Sequence, residues 1–192
     1  MIIDALPSEV NLSGVRVPVR TNFRVWMQIE QLFGDPEMSS KERVLGALEL
    51  CYVDPSMLTD LQDAMSGLLW FYRCGQPRDK RLERRANAVG VKRIYDYDQD
   101  AELFYAAFME QYGIDLTSCE LHWWQFKALF HGLRDDVLLV KVMGYRNTSL
   151  GELDGKTRQK IAQLQAQYRL RDGKSEEEKE AMMYDPYTVD FS

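Results

Sequence analysis

The chain has 192 residues, of which 45% are hydrophobic and 28% charged, with a formal net charge of −6. That length suits one domain with a real core, and the balance is that of a globular protein. The apolar runs at 67–72 and 137–140 fall far short of the ~20 residues that cross a bilayer, and the opening MIIDALPSE lacks the marks of a secretory signal, so the expected location is the cytoplasm.

Val10 and Leu12 alternate with polar neighbours, Ser13-Gly14 supplies a turn, and Val15, Val17 and Val19 alternate again. This pattern predicts a β-hairpin over 8–19. Pro18 cannot donate to a ladder, which makes the second strand an edge or cuts it short. Thr21 or Asn22 then caps a helix with Phe23, Trp26, Ile29, Leu32 and Phe33 on its apolar face, and Gly34 stops it. Ser39 with Glu42 forms a capping box for a second helix whose face is Val44, Leu45, Leu48 and Cys51. Asp54-Pro55 starts a third, with Leu58, Leu61, Met65, Leu68, Leu69 and Tyr72 inward and Gly75 as the stop.

Residues 76–92 break the periodicity and read as an exposed basic loop. Seven cations between Arg78 and Arg93 face only Asp79 and Glu83, a local balance of +5. Periodicity resumes with Asp96 or Asp98 as N-cap and Phe104, Phe108 and Tyr112 at helical spacing, up to Gly113. Thr117 or Ser118 caps the next helix, over 118–133. One arc of it carries Leu121, Trp124 and Ala128, and an adjacent arc Trp123, Phe126, Phe130 and Leu133. A helix apolar over so much of its circumference is central or lies at an interface. Asp135 starts a shorter helix through Val142, ended by Gly144-Tyr145-Arg146, and Asp154 caps a last one with Ile161, Leu164 and Tyr168. The fold class is mainly α: about six to seven helices with a small N-terminal β-hairpin. One helical domain spans 1–172, and 173–192 is an acidic, partly disordered tail.

Few residues are spaced for chemistry. His122 and His131 lie nine apart, ~2.5 helical turns, on opposite sides of one predicted helix, and match no metal-ligand spacing. Asp96, Asp98, Asp100 and Glu102 lack the glycine and distal glutamate of a calcium loop, and acids suit a helix start. Three widely spaced cysteines, Cys51, Cys74 and Cys119, read as reduced thiols. No phosphate loop or nucleophile motif is present, so neither catalysis nor a cofactor or metal is expected. The basic stretch could neutralise phosphates, but it lacks interleaved aromatics and the protein is acidic; a solvated loop or one docking an acidic protein surface fits better. Residues proposed to touch a partner are Arg81, Arg84 and Arg85 in that loop and Trp123, Phe126 and Phe130 on the aromatic helix.

Five segments carry a resemblance. They are the strand–turn–strand followed by TNFRVWMQIE, LLWFYRCG at 68–75, RIYDYDQDAELFYAAFMEQYGIDL at 93–116, LHWWQFKALFHGL at 121–133 and VMGYRN at 142–147. Together, in this order, they resemble the bacteriophage tail-module family called gene product fifteen, encoded beside the tape-measure gene. The resemblance covers most of 8–150. It implies tail morphogenesis in a siphophage or prophage, in the host cytoplasm, as an assembly chaperone that binds the tape-measure protein before tail-tube subunits polymerise. Other tail-assembly proteins are implied partners, no catalytic residue carries over, and a client rich in helices would use a groove-binding mode. A minor structural component of the tail and a nucleic-acid accessory acting through 78–93 are the alternatives, and a second copy of the chain (a homo-oligomer) is a further candidate partner.

Overall fold

The hairpin forms where alternation and turn chemistry agree. In the computed structural model, which describes residues 5–77, 93–151 and 153–171, β1 (Glu9–Leu12) pairs antiparallel with β2 (Val15–Pro18), with Val10 opposite Val17 and Leu12 opposite Val15. Ser13 (φ 48°) and Gly14 (φ 93°) make the turn, both left-handed as a two-residue hairpin favours. Val10, Leu12 and Val17 are buried, whereas Val15 at the tip is 55% exposed. Pro18 ends β2, and its carbonyl accepts from the Val53 N–H at 3.1 Å.

Three helices follow. α1 (Phe23–Gly34) is capped by Asn22, which accepts from the Arg24 N–H. α2 (Ser40–Cys51) begins with the expected Ser39/Glu42 capping box. The third start was misplaced. Asp54 caps only a 3₁₀ turn (Pro55–Met57), and α3 (Leu61–Tyr72) has its own cap, Asp60, which accepts from the Asp63 N–H at 2.7 Å. Two successive Asp caps break what reads in sequence as one helix. The buried face of α3 is consequently Ala64, Gly67, Leu68 and Phe71, and Leu61 is 56% exposed. On α2, Ala47 takes the inward position assigned to Leu45, which is 51% exposed.

Gly67 lets α3 and the hairpin touch. A Cβ there would lie 2.6 Å from Leu12 Cδ2 and 2.8 Å from the Tyr52 hydroxyl, distances no packed core tolerates.

α4 (Ala101–Tyr112) carries the expected Phe104 and Phe108 inward and stops at left-handed Gly113 (φ 66°). Its N-cap is Asp100, neither Asp96 nor Asp98. Asp96 instead turns the chain ahead of the helix, its Oδ1 accepting from the N–H groups of Asp98 and Gln99, both at 2.8 Å. α5 (Trp123–His131) is shorter than the helix expected over 118–133, because His122 caps it. α6 (Leu138–Asn147) starts later than Asp135 and runs through Gly144; it closes where the N–H and hydroxyl of Thr148 donate to the Gly144 carbonyl. α7 (Gly155–Gln167) begins at Asp154 as expected.

Contacts gather the chain into two compact units, Met1–Lys141 and Val142–Ser192, with the boundary inside α6. In the first, Trp26, Phe23, Phe71, Phe108, Trp123 and Phe126 are the largest fully buried side chains with Tyr52. In the second, Gln165 donates to the carbonyls of Tyr145 and Thr148, both at 2.8 Å, and Arg146 Nε donates to the Tyr168 carbonyl at 2.6 Å. Side chains of α7 and of Arg146 thus satisfy carbonyls that helix ends leave open. Among the described residues no helix is long and apolar enough to cross a membrane.

Candidate interaction surfaces

The aromatic residues that dominate the sequence are the core. Trp26 stacks on Phe71 with centroids 4.8 Å apart and on Trp123 at 6.1 Å. Phe126 stacks on Phe23 (5.1 Å), Phe108 (5.2 Å) and Trp123 (5.8 Å). Every indole in this cluster finds an acceptor, as buried tryptophans must. Trp26 donates to the Arg20 carbonyl at 2.7 Å, Trp123 to Tyr72 at 3.0 Å and Trp124 to Phe71 at 2.8 Å.

This packing corrects the proposed partner face on α5. Trp123 and Phe126 are 0% exposed and Phe130 is 7% exposed, so none of the three offers surface to a partner in this conformation. α1, α3 and α4 cover the helix on the sides that sequence alone left open. Trp124, on the arc with Leu121 and Ala128, is the half-buried one, packed edge-on against Trp70 at 5.6 Å. Arg81, Arg84 and Arg85 lie outside the described residues.

The titratable groups of the core hold structure. Glu30 on α1 accepts from three phenols: Tyr95 at 2.5 Å, Tyr72 at 3.0 Å and Tyr97 at 3.3 Å. Burial, with the Glu30 charge beside them, pushes all three phenols well above their usual range. Sequence reading passed over Glu30; the signal was an acid directly after Ile29 on the apolar arc, with two of its partners in the Tyr95/Tyr97 repeat.

His122 is a second residue missed as a functional cap. Its Nδ1 accepts from the Trp124 N–H at 3.0 Å, its Nε2 lies 2.9 Å from the Pro7 carbonyl, and Gln125 completes a capping box by accepting from the His122 N–H. Burial lowers its pKa. Burial also raises the Cys51 thiol to about 12 and shifts Cys74 and Cys119 upward, so each stays protonated at neutral pH. Asp96 pairs with Arg93, and its N–H donates to Asp100 at 3.0 Å. Among the described residues no set of three or more His, Cys, Asp or Glu side chains is placed to hold a metal ion.

Among the described residues two open grooves stand out in the first unit. The larger is a groove of about 810 Å³ between the β1 edge and α3, lined by residues 6–11, Arg16, Asp63, Ser66, Gly67, Trp70 and Arg73. The Val19 N–H donates to the Ser8 carbonyl at 2.9 Å, which makes Ser8/Val19, Val10/Val17 and Leu12/Val15 the hydrogen-bonded pairs of the ladder. By that alternation the N–H and C=O groups of Glu9 and Asn11 point away from β2, and no partner meets them among the described residues. Trp70 borders the same groove, 38% exposed. The smaller, about 540 Å³, lies where α2, the 3₁₀ turn and the start of α3 meet.

No curated protein and no solved structure matches the chain. Residues 2–170 match the family described as Bacteriophage Gp15 protein. With nearly nine-tenths of its length inside that match, the chain belongs to the bacteriophage Gp15 protein family.

Proposed function

We propose that this phage protein acts in tail morphogenesis as an assembly chaperone, binding the tape-measure protein before the tail tube polymerises and performing no catalytic step itself. The observation that carries the reading is the open β1 edge beside the 810 Å³ groove. A strand edge with outward N–H and C=O groups is a template for an incoming chain, and here it is mounted on a body whose aromatic core is closed. A protein that holds a long client reversibly needs that combination of a stable body and an unsaturated contact surface. The His122 cap and the Glu30 cluster are engaged in hydrogen bonds within the fold, which supports a reading in which binding is the activity.

Co-expression with fragments of the tape-measure protein tests the reading. A fragment should stay soluble with this protein and precipitate without it, and mass spectrometry of purified particles should find the protein absent. Equal precipitation in both cases would remove the chaperone role. Stoichiometric presence in the particle would make the protein a structural component of the tail.

A further inference from the structure

The smaller groove differs in chemistry from the β1 edge. Leu45, Leu48, Pro55, Leu58, Leu61 and Ala64 form its apolar lining. Leu45 and Leu61 in that lining are 51% and 56% exposed. Two half-exposed leucines on one depression, with Leu48, Pro55, Leu58 and Ala64 between them, form one apolar patch rather than scattered surface residues. The rim is acidic: Glu49 and Asp60 line the groove, and Asp54 immediately precedes Pro55. Arg20, the cation at this end of α2, is committed to the carbonyls of Glu49, Leu50 and Tyr52 at 2.6, 3.0 and 2.5 Å. Among the described residues the carboxylates of Glu49, Asp54 and Asp60 make no ion pair.

We propose that this groove binds a cationic amphipathic helix of a partner protein, seating a leucine- or methionine-rich stripe on Leu45 and Leu61 with lysines or arginines along the acidic rim. The α2 and α3 backbones are satisfied within their helices, so a strand gains no hydrogen bonds here. The ridges of an incoming helix can instead interdigitate between Leu45 and Leu61. The rim sets the sign of the partner's charge, because opposite charges steer encounter and like charges suppress it. The same argument disfavours a second copy of this chain. A two-fold contact places one patch against itself, bringing Glu49, Asp54 and Asp60 against their own copies. This inference stands on the α2/α3 groove alone and holds whether or not the tape-measure protein is the client.

The test titrates the full chain with a labelled synthetic helix of about five turns, leucines on one face flanked by lysines, and with a companion carrying glutamates in place of the lysines. The lysine helix should bind and the glutamate helix should not. Leu45→Glu and Leu61→Glu should each weaken binding by about tenfold or more with unchanged melting, since both side chains are exposed. Leu138→Glu, altering an exposed leucine elsewhere, should leave binding intact. Glu49→Gln with Asp60→Asn should weaken binding several-fold and flatten its salt dependence; asparagine retains the α3 cap. Equal binding of both helices, or full affinity in Leu45→Glu and Leu61→Glu, overturns the proposal. So does a concentration-dependent dimer abolished by Leu61→Glu, which would make the occupant a second copy.

Discussion

The indole N–H of Trp123 donates to the carbonyl of Tyr72 at 3.0 Å, and the next residue, Trp124, reaches the preceding carbonyl, Phe71, at 2.8 Å. Two neighbouring side chains at the start of α5 thus bind two neighbouring carbonyls at the end of α3, the Phe71 carbonyl accepting also from the Cys74 N–H at 3.0 Å. The aromatic pair is a clasp between two helices, with one ring inside the core and one at its margin.

Trp123 is therefore the costlier to lose. Trp123→Ala empties a site that is 0% exposed and should destabilise by about 3–5 kcal/mol, much of a typical 5–15 kcal/mol total. Trp124→Ala should cost about 1–2 kcal/mol, since that ring is half-buried. Urea unfolding of the two variants decides the order. A larger loss for Trp124 would mean that the clasp is anchored at its outer ring.

Glu30→Ala removes the acceptor shared by Tyr72, Tyr95 and Tyr97. A buried donor left unpaired costs roughly 1–3 kcal/mol. With partial relief from water, a loss of about 2–4 kcal/mol is expected. Glu30→Gln keeps an acceptor oxygen and should cost less. Equal stability of Glu30→Ala and wild type in denaturant would show that the phenols find other partners.

The same cluster sets an alkaline limit. The phenols of Tyr72, Tyr95 and Tyr97 are raised in the folded state by burial and by Glu30, so above the unfolded value near pH 10 the unfolded chain loses protons that the folded one keeps. Stability from these groups is intact below about pH 10 and falls as pH rises, each group adding up to about 1.4 kcal/mol per pH unit. The Cys51 thiol, raised to about 12, begins the decline sooner, near its usual ~8.5. Melting temperatures across pH 7 to 11 should be flat and then fall steeply, and Tyr97→Phe should soften the fall. A flat profile to pH 11 would contradict the burial of these groups.

What the sequence revealed was chemistry confined to a few adjacent residues. Ser13-Gly14, the Ser39/Glu42 box, Gly113 and Asp154 each satisfy backbone groups within one turn, so composition locates them. The errors share a different cause. Asp54-Pro55 and Asp60 both look like helix starts, and only packing decides that the first makes a 3₁₀ turn. The inner and outer rings of Trp123-Trp124 depend on α1 and α3, whose contacting residues Trp26 and Tyr72 lie 97 and 51 residues earlier in the chain, beyond any local pattern. Glu30 required three phenols from two distant segments. Pro18 marks the second strand as the edge, yet its outer carbonyl is met by Val53 and the open edge is that of β1; the α2/α3 groove is hidden in the pattern because Leu45 and Leu61 read as inward.

Gly67→Ala probes how the hairpin is held. A Cβ at that position meets Leu12 Cδ2 at 2.6 Å, the Tyr52 hydroxyl at 2.8 Å and Val10 Cγ2 at 3.2 Å. The Tyr52 hydroxyl cannot retreat freely, since it donates to the Ala64 carbonyl at 2.7 Å. The strain should exceed the ~1 kcal/mol that alanine gains over glycine in a helix, for a net loss of about 1–3 kcal/mol. Faster amide exchange in 9–18 than in α3 would localise the effect to the hairpin, and a stabilised Gly67→Ala would show that β1 stands further from α3 than this packing requires.

His122 links the N-terminal segment to α5 through a neutral ring. Nδ1 must carry a lone pair to accept from Trp124 N–H, and Nε2 must carry the proton donated to the Pro7 carbonyl. Protonation turns Nδ1 into a donor facing another donor, and burial already lowers the folded-state pKa below the usual ~6.5. The unfolded chain therefore takes up the proton first, and stability present above about pH 6.5 is lost as pH falls toward the lowered folded value. His131 is shifted the same way by burial and by Lys127, so the variant must separate the two. Asparagine caps a helix and does not titrate. His122→Asn should lose less stability than wild type between pH 7 and 5, the remainder belonging to His131, while His122→Ala should cost about 1–2 kcal/mol already at pH 7. Identical acid profiles for wild type and His122→Asn would show that the cap is not what senses acid.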